Sequence, residues 1–183
     1  MPETEPRPAC TMNPEPNQMN PEDVGVAAGG ELVAIYISSG HDYWGRGGEG
    51  RLQHGIRSVT TATLLAGRGI EGDRYALKRA GHKAQVTLLD EDVVEHVRRQ
   101  FALPKLPAGV FRRNLIVRGL DLARLKGHRF WLQGVEFYGT QECRPCEWMD
   151  RVIAPGAQAF LRTPFFGGLR ASVEVGGVLR VNG

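Results

Sequence analysis

Short apolar runs separated by turn residues dominate the chain from residue 31 onward. Runs of this kind, rich in valine, isoleucine and leucine, are typical of β-strands. They predict strands at residues 31–37, 83–89, 114–117, 128–132 and 135–138. Gln133-Gly134 lies between the last two of these runs and predicts a hairpin turn. The runs 171–175 and 178–181, around Gly176-Gly177, predict a closing hairpin.

Helical spacing is found in two places. The apolar positions between residues 90 and 101 share one helical face, and Asp90 can cap the helix that they predict. A second stretch, 147–161, has helical spacing that Pro155 breaks. Many short strands with few helices predict a mainly β fold with peripheral helices, closed or nearly closed into a β-barrel.

The first 30 residues differ from the rest in composition. They hold six of the 11 prolines and show no apolar periodicity, which predicts a disordered tail before a single domain at residues 31–183. The tail contains five acidic residues against Arg7 alone, a net charge of −4, so the remainder carries 22 basic and 15 acidic residues, or +7. A basic surplus suits an anionic ligand, although solubility alone also explains it.

The expected compartment is the cytoplasm, without a membrane or nucleic-acid partner. No apolar run is long enough for a membrane span, and the N-terminus lacks the basic and apolar regions of a secretory signal. Three cysteines, Cys10, Cys143 and Cys146, are too few for a disulfide framework. In a reducing compartment the close pair Cys143 and Cys146 suggests a metal ligand, a redox pair or a nucleophile.

The segment Glu142-Cys143-Arg144-Pro145-Cys146 carries the most distinctive chemistry. It follows a predicted strand and precedes a helical pattern. The positive end of a helix dipole and the charge of Arg144 favour the thiolate form of a cysteine in this position. A thiolate can attack sulfur or bind a soft metal.

Four interpretations of this segment compete. A zinc site needs four ligands, and the chain offers one Cys-x-x-Cys without a suitable histidine pair. A thioredoxin-like redox pair fits the motif locally, but not a β-rich chain with the motif near its end. The third interpretation is a structural pair of buried cysteines. The fourth is a cysteine that carries sulfur or ligates a metal cofactor.

Polar residues near the predicted strands form a second candidate site. Arg112-Arg113-Asn114 enters a strand, and Asp73-Arg74 lies in a glycine-rich turn. Arginine binds phosphate through a planar charged fork, and asparagine offers a donor and an acceptor to a heterocycle. From the local sequence alone, salt bridges that organise loops explain these residues better. His41-Asp42, in the predicted loop 38–50, is interpreted as an ordinary solvated dipeptide.

Four segments in order carry a family resemblance. They are residues 69–75 (GIEGDRY), residues 111–122 (FRRNLIVRGLDL), Cys143-Arg144-Pro145-Cys146, and residues 168–173 (GLRASV) with Gly176-Gly177. Together they resemble the MOSC family, the C-terminal domain type of molybdenum cofactor sulfurases. The chain departs from the family pattern at its end, Asn182-Gly183, and in an insertion at 44–57 that is rich in glycine and charge.

The resemblance implies a β-barrel in which Cys146 is the key thiol and Cys143 an additional one. By analogy with the amidoxime-reducing branch, it implies that Cys146 ligates molybdenum. The implied contacts of the molybdenum cofactor (molybdopterin) are Asp73, Arg74, Arg112, Arg113, Asn114 and Arg144. The reaction implied is a two-electron reduction of an N-hydroxylated small molecule, with electrons from a redox partner.

Two alternatives to this oxidoreductase stay open. In the first, Cys146 accepts sulfur as a persulfide from a pyridoxal-phosphate-dependent cysteine desulfurase, and Cys143 resolves it. No pyridoxal phosphate site is evident in this chain, so the partner would supply that cofactor. In the second, the chain is a binding or regulatory domain whose cysteine is unused.

Overall fold

The structure is a computed structural model that describes residues 26–27, 29–42 and 53–182. Most of the predicted tail 1–30 and of the segment 44–57 therefore lies outside the described residues. Within the tail, Val26–Ala27 form a short strand that pairs in parallel with Phe130 and Trp131. No helix of the described residues is long and apolar enough to cross a membrane.

The secondary structure confirms a mainly β fold with few helices. The strands are β1 (Val26–Ala27), β2 (Glu31–Ile37), β3 (Arg57–Val59), β4 (Thr61–Leu65), β5 (Gly69–Ile70), β6 (Val86–Asp90), β7 (Leu115–Arg118), β8 (Arg129–Leu132), β9 (Val135–Glu142), β10 (Leu169–Val175) and β11 (Gly177–Arg180). The helices are α1 (Glu91–Gln100), α2 (Trp148–Val152), α3 (Ala157–Phe160) and a 3-10 helix (Ala108–Phe111).

Local sequence signals account for several of these elements. The strand at residues 31–37 is confirmed as β2, and the helix after Asp90 as α1. An oxygen of the Asp90 carboxylate accepts a hydrogen bond from Asp92 N at 3.0 Å and so caps α1. Gln133 and Gly134 have φ angles of 49° and 79°, the left-handed values that a two-residue hairpin turn requires. Strands β3 and β4 are absent from the sequence-based prediction.

The strands form two hydrogen-bonded sheets. The larger has the order β1-β8-β9-β10-β6-β7-β2-β3, and the smaller has the order β11-β4-β5. Most pairs are antiparallel, but β6 and β7 run parallel, with α1 in the connection between them. Neither sheet closes on itself within the described residues, so the closed barrel is not confirmed.

The predicted closing hairpin is wrong. Strand β10 pairs with β9 and β6, whereas β11 pairs with β4 of the other sheet. Only Gly176 separates β10 from β11, and one residue is too short a connection to reverse the chain. A Cβ at Gly176 would stand 2.6 Å from the Leu64 carbonyl oxygen. The glycines therefore allow a close approach of two backbones where the chain changes sheets, rather than a tight turn.

Two apolar cores lie on opposite faces of the larger sheet. Strand β7 shows the alternation: Leu115 and Val117 belong to the core between the two sheets, and Ile116 belongs to the core beneath the helices. Trp148 and Met149 of α2 are buried in the helical core. This packing holds α2 against the large sheet, beside the end of β2 and the 3-10 helix, where the polar residues collect.

Candidate functional site

A buried polar cluster occupies the end of β2, and the Asp73 carboxylate is its centre. Its Oδ2 accepts hydrogen bonds from Ser38 N at 3.0 Å and from Asn114 Nδ2 at 3.1 Å. Its Oδ1 accepts one from Tyr75 N at 3.0 Å, in the glycine-rich turn. Asp73 is fully buried. The carboxylate therefore joins three segments of the chain that are far apart in sequence.

Asn114 uses all of its side-chain hydrogen-bonding groups within the fold. Its Oδ1 accepts from Thr87 N at 3.1 Å and from Thr87 Oγ1 at 2.8 Å. Its Nδ2 donates to Tyr36 O at 3.1 Å as well as to Asp73. A ligand contact through this amide would require breaking one of these bonds. The arrangement favours a positioning role for Asn114 and Asp73, which hold the neighbouring arginines in place.

Arg112 has an unusual backbone and a buried charge. Its φ and ψ of 55° and 36° lie in the left-handed region, which is uncommon for a residue other than glycine and costs conformational energy. The guanidinium donates to Asp42 Oδ2 at 3.1 Å and to Gly40 O at 2.6 Å. Among the described residues, its buried Nε has no hydrogen-bond partner. Burial lowers the pKa of Arg112, as does the charge of Arg74, while Asp42 raises it.

The interpretation of His41-Asp42 as a solvated dipeptide is wrong for Asp42. This carboxylate is buried, forms an ion pair with Arg112, and accepts a hydrogen bond from His54 N at 2.6 Å. A buried arginine needs an opposite charge, and the loop after β2 supplies it. Asp42 therefore holds Arg112 and the backbone at His54 in one arrangement.

A cavity of about 600 Å³ opens beside Arg112. We call it the arginine cavity. Its walls combine two arginines, a carboxylate, aromatic rings and apolar groups: Tyr36, Asp42, Gly55, Ile56, Ser58, Pro107, Gly109, Val110, Arg112, Trp148, Arg151 and Val152. The Arg112 guanidinium lies 5.9 Å from the centroid of the Trp148 ring. A cavity with cations and aromatic surfaces suits a flat anionic ligand.

His41 stands beside this cavity as a neutral group. Its ring meets the Trp148 ring edge-on, with 6.2 Å between the centroids. Desolvation, followed by the positive charges of Arg112 and Arg74, lowers the pKa of His41 to about 4. The imidazole is therefore uncharged at neutral pH, although part of the residue faces solvent. It can offer one donor and one acceptor without adding to the local positive charge.

We expect His41 to make the protein less stable as the pH falls from about 6.5 to about 4. The unfolded chain takes up a proton on this histidine in that range, whereas the folded protein keeps it neutral down to about 4. The unfolded state then binds more protons, so acidification favours it. Urea unfolding at pH 7 and pH 5 measures the effect. Wild type should lose more stability than His41→Gln, and equal losses would show that His41 titrates normally in the folded protein.

Arg74 and Arg113 lie near Arg112 but face different partners. Arg74 N donates to Ser38 O at 2.8 Å, and its guanidinium lies 4.6 Å from the centroid of the Tyr75 ring. Arg113 donates through Nε to Gly167 O at 2.7 Å and through Nη1 to Phe111 O at 2.9 Å. Arg113 therefore ties the 3-10 helix to the loop at Gly167.

The cysteine segment packs on this same loop. Cys143 is buried, and its N donates to Gly168 O at 2.7 Å. A side chain at Gly167 would collide with the Cys143 carbonyl oxygen. Cys146 is exposed and lies two residues before Trp148, whose ring lines the arginine cavity. The structure therefore presents one thiol at the surface and keeps the other inside.

The helix after the cysteines is shorter than the predicted pattern. It spans five residues, Trp148–Val152, with Glu147 at its N-cap position. Cys146 precedes that cap, and a single turn and a half of helix has a small dipole. The exposure of Cys146, more than the helix, therefore distinguishes it from Cys143.

Comparison with known proteins identifies the family of the chain. A model of the MOSC domain matches residues 76–182, more than half of the chain. The chain belongs to the MOSC domain family. This family is associated with binding of the molybdenum cofactor.

Solved structures with the same fold include two groups of bacterial proteins. YuaD from Bacillus subtilis shares 18% identity with this MOSC protein. The match covers 83% of this chain and 91% of YuaD, with a TM-score of 0.61. YiiM from Geobacillus stearothermophilus shares 15% identity over 82% of this chain and 71% of YiiM, with a TM-score of 0.61. YiiM from Escherichia coli shares 18% identity over 80% of this chain and 65% of its own chain, with a TM-score of 0.56. No significant match was found among curated proteins.

The structure of this MOSC protein separates the predicted site residues into groups. Asp73, Arg74, Arg112 and Asn114 meet around Ser38, and Arg113 joins them to the loop under Cys143. Arg144 lies instead in a different cleft, with Lys126 and Arg170. Within residues 29–42 and 53–182, no three histidine, cysteine or acidic side chains cluster to hold a metal ion.

Several residues of the arginine cavity are missing from the sequence-based prediction. Asp42, Trp148 and Tyr36 are examples. For one of them a signal exists: Trp148 follows the cysteine pair by two residues. Asp42 stands in a polar loop, where an acidic residue is ordinary. Nothing in the local sequence marks Tyr36, since an aromatic residue is ordinary within a strand.

Proposed function

We propose that this MOSC protein binds the molybdenum cofactor in the arginine cavity and reduces N-hydroxylated compounds, with Cys146 as a ligand of the metal. The observation that carries the proposal is the buried guanidinium of Arg112 in the cavity wall. Arg112 has a left-handed backbone conformation. Its guanidinium donates to Asp42 and Ser38, and its Nε lacks a partner among the described residues. Such a strained and incompletely satisfied cation is typical of a ligand site.

The residues of the cavity fit the chemistry of a phosphorylated pterin. Arg112 and Arg151 provide guanidinium groups for a phosphate. The rings of Trp148 and Tyr36 offer flat surfaces for a heterocycle. The volume, about 600 Å³, lies within the range of small-ligand sites.

The chain's own groups have distinct roles in this proposal. Cys146 supplies a soft thiolate ligand at the surface, two residues before Trp148 of the cavity wall. Asp73 and Asn114 position Ser38 and the arginines, and the neutral His41 can orient a polar substrate group. When bound, the cofactor supplies two-electron redox chemistry at molybdenum. The electrons come from a redox partner, since the chain carries no flavin or iron–sulfur motif.

The exposure of Cys146 favours a second candidate function, sulfur transfer. Here the Cys146 thiolate attacks the outer sulfur of a persulfide on a pyridoxal-phosphate-dependent cysteine desulfurase. A new S–S bond forms on Cys146, the old one breaks, and the desulfurase cysteine leaves as a thiolate. Since Cys143 is buried, the resolving role assigned to it needs a local rearrangement of the segment.

Elemental analysis with pterin detection tests the first proposal on full-length protein made in a host that produces molybdenum cofactor. We expect about one molybdenum and one pterin per chain, retained through gel filtration. Absence of both from the wild type would overturn the oxidoreductase proposal. A persulfide assay after incubation with a desulfurase and cysteine then tests sulfur transfer, which requires labelled sulfur on Cys146 and none on Cys146→Ser.

A further inference from the structure

A second cleft, of about 360 Å³, lies apart from the arginine cavity and shares no lining residue with it. Its walls are formed by Lys126, Gln141, Glu142, Arg144 and Arg170. We call it the basic cleft. It is large enough for a small ligand.

Strand pairing brings the residues of the basic cleft together. Gln141 and Arg170 are partners in the register of β9 and β10, and Glu142 ends β9. The loop residue Lys126 bridges to Gly139 of the same strand. The cleft therefore lies at the end of the β9–β10 pair, with Lys126 bridged to β9 and Arg144 in the segment that follows β9.

The cations of the basic cleft are not matched by anions of the protein. Among the described residues, the side chains of Lys126, Arg144 and Arg170 have no ion-pair or hydrogen-bond partner. The carboxylate in the lining, Glu142, accepts a hydrogen bond from Phe165 N at 2.7 Å. Three positive charges and one negative charge give the lining a net charge of +2, which complements a dianion.

Elsewhere in the fold, an arginine on the neighbouring strand β8 is paired with carboxylates. Arg129 lies within 4 Å of two carboxylates, at 2.9 Å from Glu136 and 3.6 Å from Glu174. The basic cleft instead brings three cations close together, and their mutual repulsion is relieved when an anion binds.

The geometry points to a binding site for a small molecule that carries a doubly charged oxyanion, of the phosphate monoester class. The guanidinium groups of Arg144 and Arg170 can each donate two hydrogen bonds to such an anion, and Lys126 adds a point charge. Gln141 adds a neutral amide donor. Arg144 lies two residues before Cys146, so the bound anion is held beside the cysteine segment. This inference does not depend on the proposed function.

Calorimetric titration of the full-length protein tests the site, with phenyl phosphate and inorganic phosphate as probes at an ionic strength matched with sodium chloride. We expect Arg170→Gln and Lys126→Gln each to weaken phenyl phosphate binding by about tenfold or more, the effect of one lost charge-assisted contact. Arg124→Gln is the matched control, because Arg124 is exposed and lies two residues from Lys126 but outside the cleft. It should change the affinity by less than about twofold.

Several outcomes would overturn the inference. One is no binding by the wild type at about 10 mM of either probe, which is about ten times the dissociation constant of a weak, 1 mM site. Another is an equal loss in all three variants, which indicates general electrostatic attraction. A third is a loss with Arg151→Gln and none with Arg170→Gln, which assigns the anion to the arginine cavity. Stronger binding of phenyl phosphate than of inorganic phosphate identifies an organic ester, and the reverse identifies free phosphate.

The molybdenum content separates this inference from the cofactor proposal. Arg170→Gln should contain as much molybdenum and pterin as the wild type, because Arg170 does not line the arginine cavity. An unfolding midpoint close to that of the wild type confirms that the variant is folded, as expected for a side chain without partners among the described residues.

Discussion

Purified Cys146→Ser should contain less than about a tenth of the molybdenum found in the wild type. Replacing a residue that supports a metal ligand lowers the affinity for the metal by about 10–100-fold. Replacing the ligand itself should lower that affinity at least as much. A serine hydroxyl is a poor substitute, because the soft thiolate is the donor that a cysteine-ligated metal selects. Elemental analysis of both proteins, prepared side by side, measures the loss.

The fold of Cys146→Ser should remain intact, which makes the comparison informative. Cys146 is exposed, so the substitution should change the free energy of unfolding by less than about 0.5 kcal/mol. Cys143→Ala is the matched control: it removes the buried thiol of the same motif and should keep the metal. Full molybdenum in Cys146→Ser would show that another group ligates it, and loss from both variants would point to disruption of the whole segment.

The fold could be predicted from the sequence where the cause is local. The apolar run of β2, the cap at Asp90 and the turn at Gln133-Gly134 each depend on neighbours within a few residues. The sheet that β11 joins depends on distant strands. A glycine at position 176 is compatible both with a hairpin turn and with a close approach of two backbones. Only the position of the Leu64 carbonyl oxygen in the folded chain distinguishes the two.

The candidate site was predictable in its residue types but not in their roles. Arg112 and Asn114 stand out in sequence because polar residues enter a buried strand. The bonds of Asn114 to Thr87 and Tyr36 follow from the pairing of three strands, and its bond to Asp73 follows from the position of the glycine-rich turn. The partner of Arg112 lies 70 residues away, at Asp42, and a loop dipeptide carries no local signal of burial.

Loss of the Asp42 charge should destabilise the protein strongly. Asp42 and Arg112 form an ion pair whose side chains are 7% and 3% exposed. Removing one partner leaves the other charge buried and unpaired, which costs about 3–5 kcal/mol. Asp42→Asn keeps the shape of the side chain and its acceptor for His54 N, so its effect isolates the charge. Urea unfolding of the cofactor-free protein measures the change in the free energy of unfolding.

A double-mutant cycle shows whether the loss of stability comes from the ion pair between Asp42 and Arg112. Asp42→Asn with Arg112→Met removes both charges, and its destabilisation should be smaller than the sum of the two single changes by about 1–3 kcal/mol. Glu136→Gln is the matched control, since it breaks an ion pair with Arg129, which is 42% exposed. That substitution should cost less than about 1 kcal/mol. If Asp42→Asn cost no more than Glu136→Gln, Asp42 would not be the group that holds Arg112 at the wall of the arginine cavity. A large cost with strong coupling would instead show that the ion pair keeps the Arg112 guanidinium in place before any ligand binds.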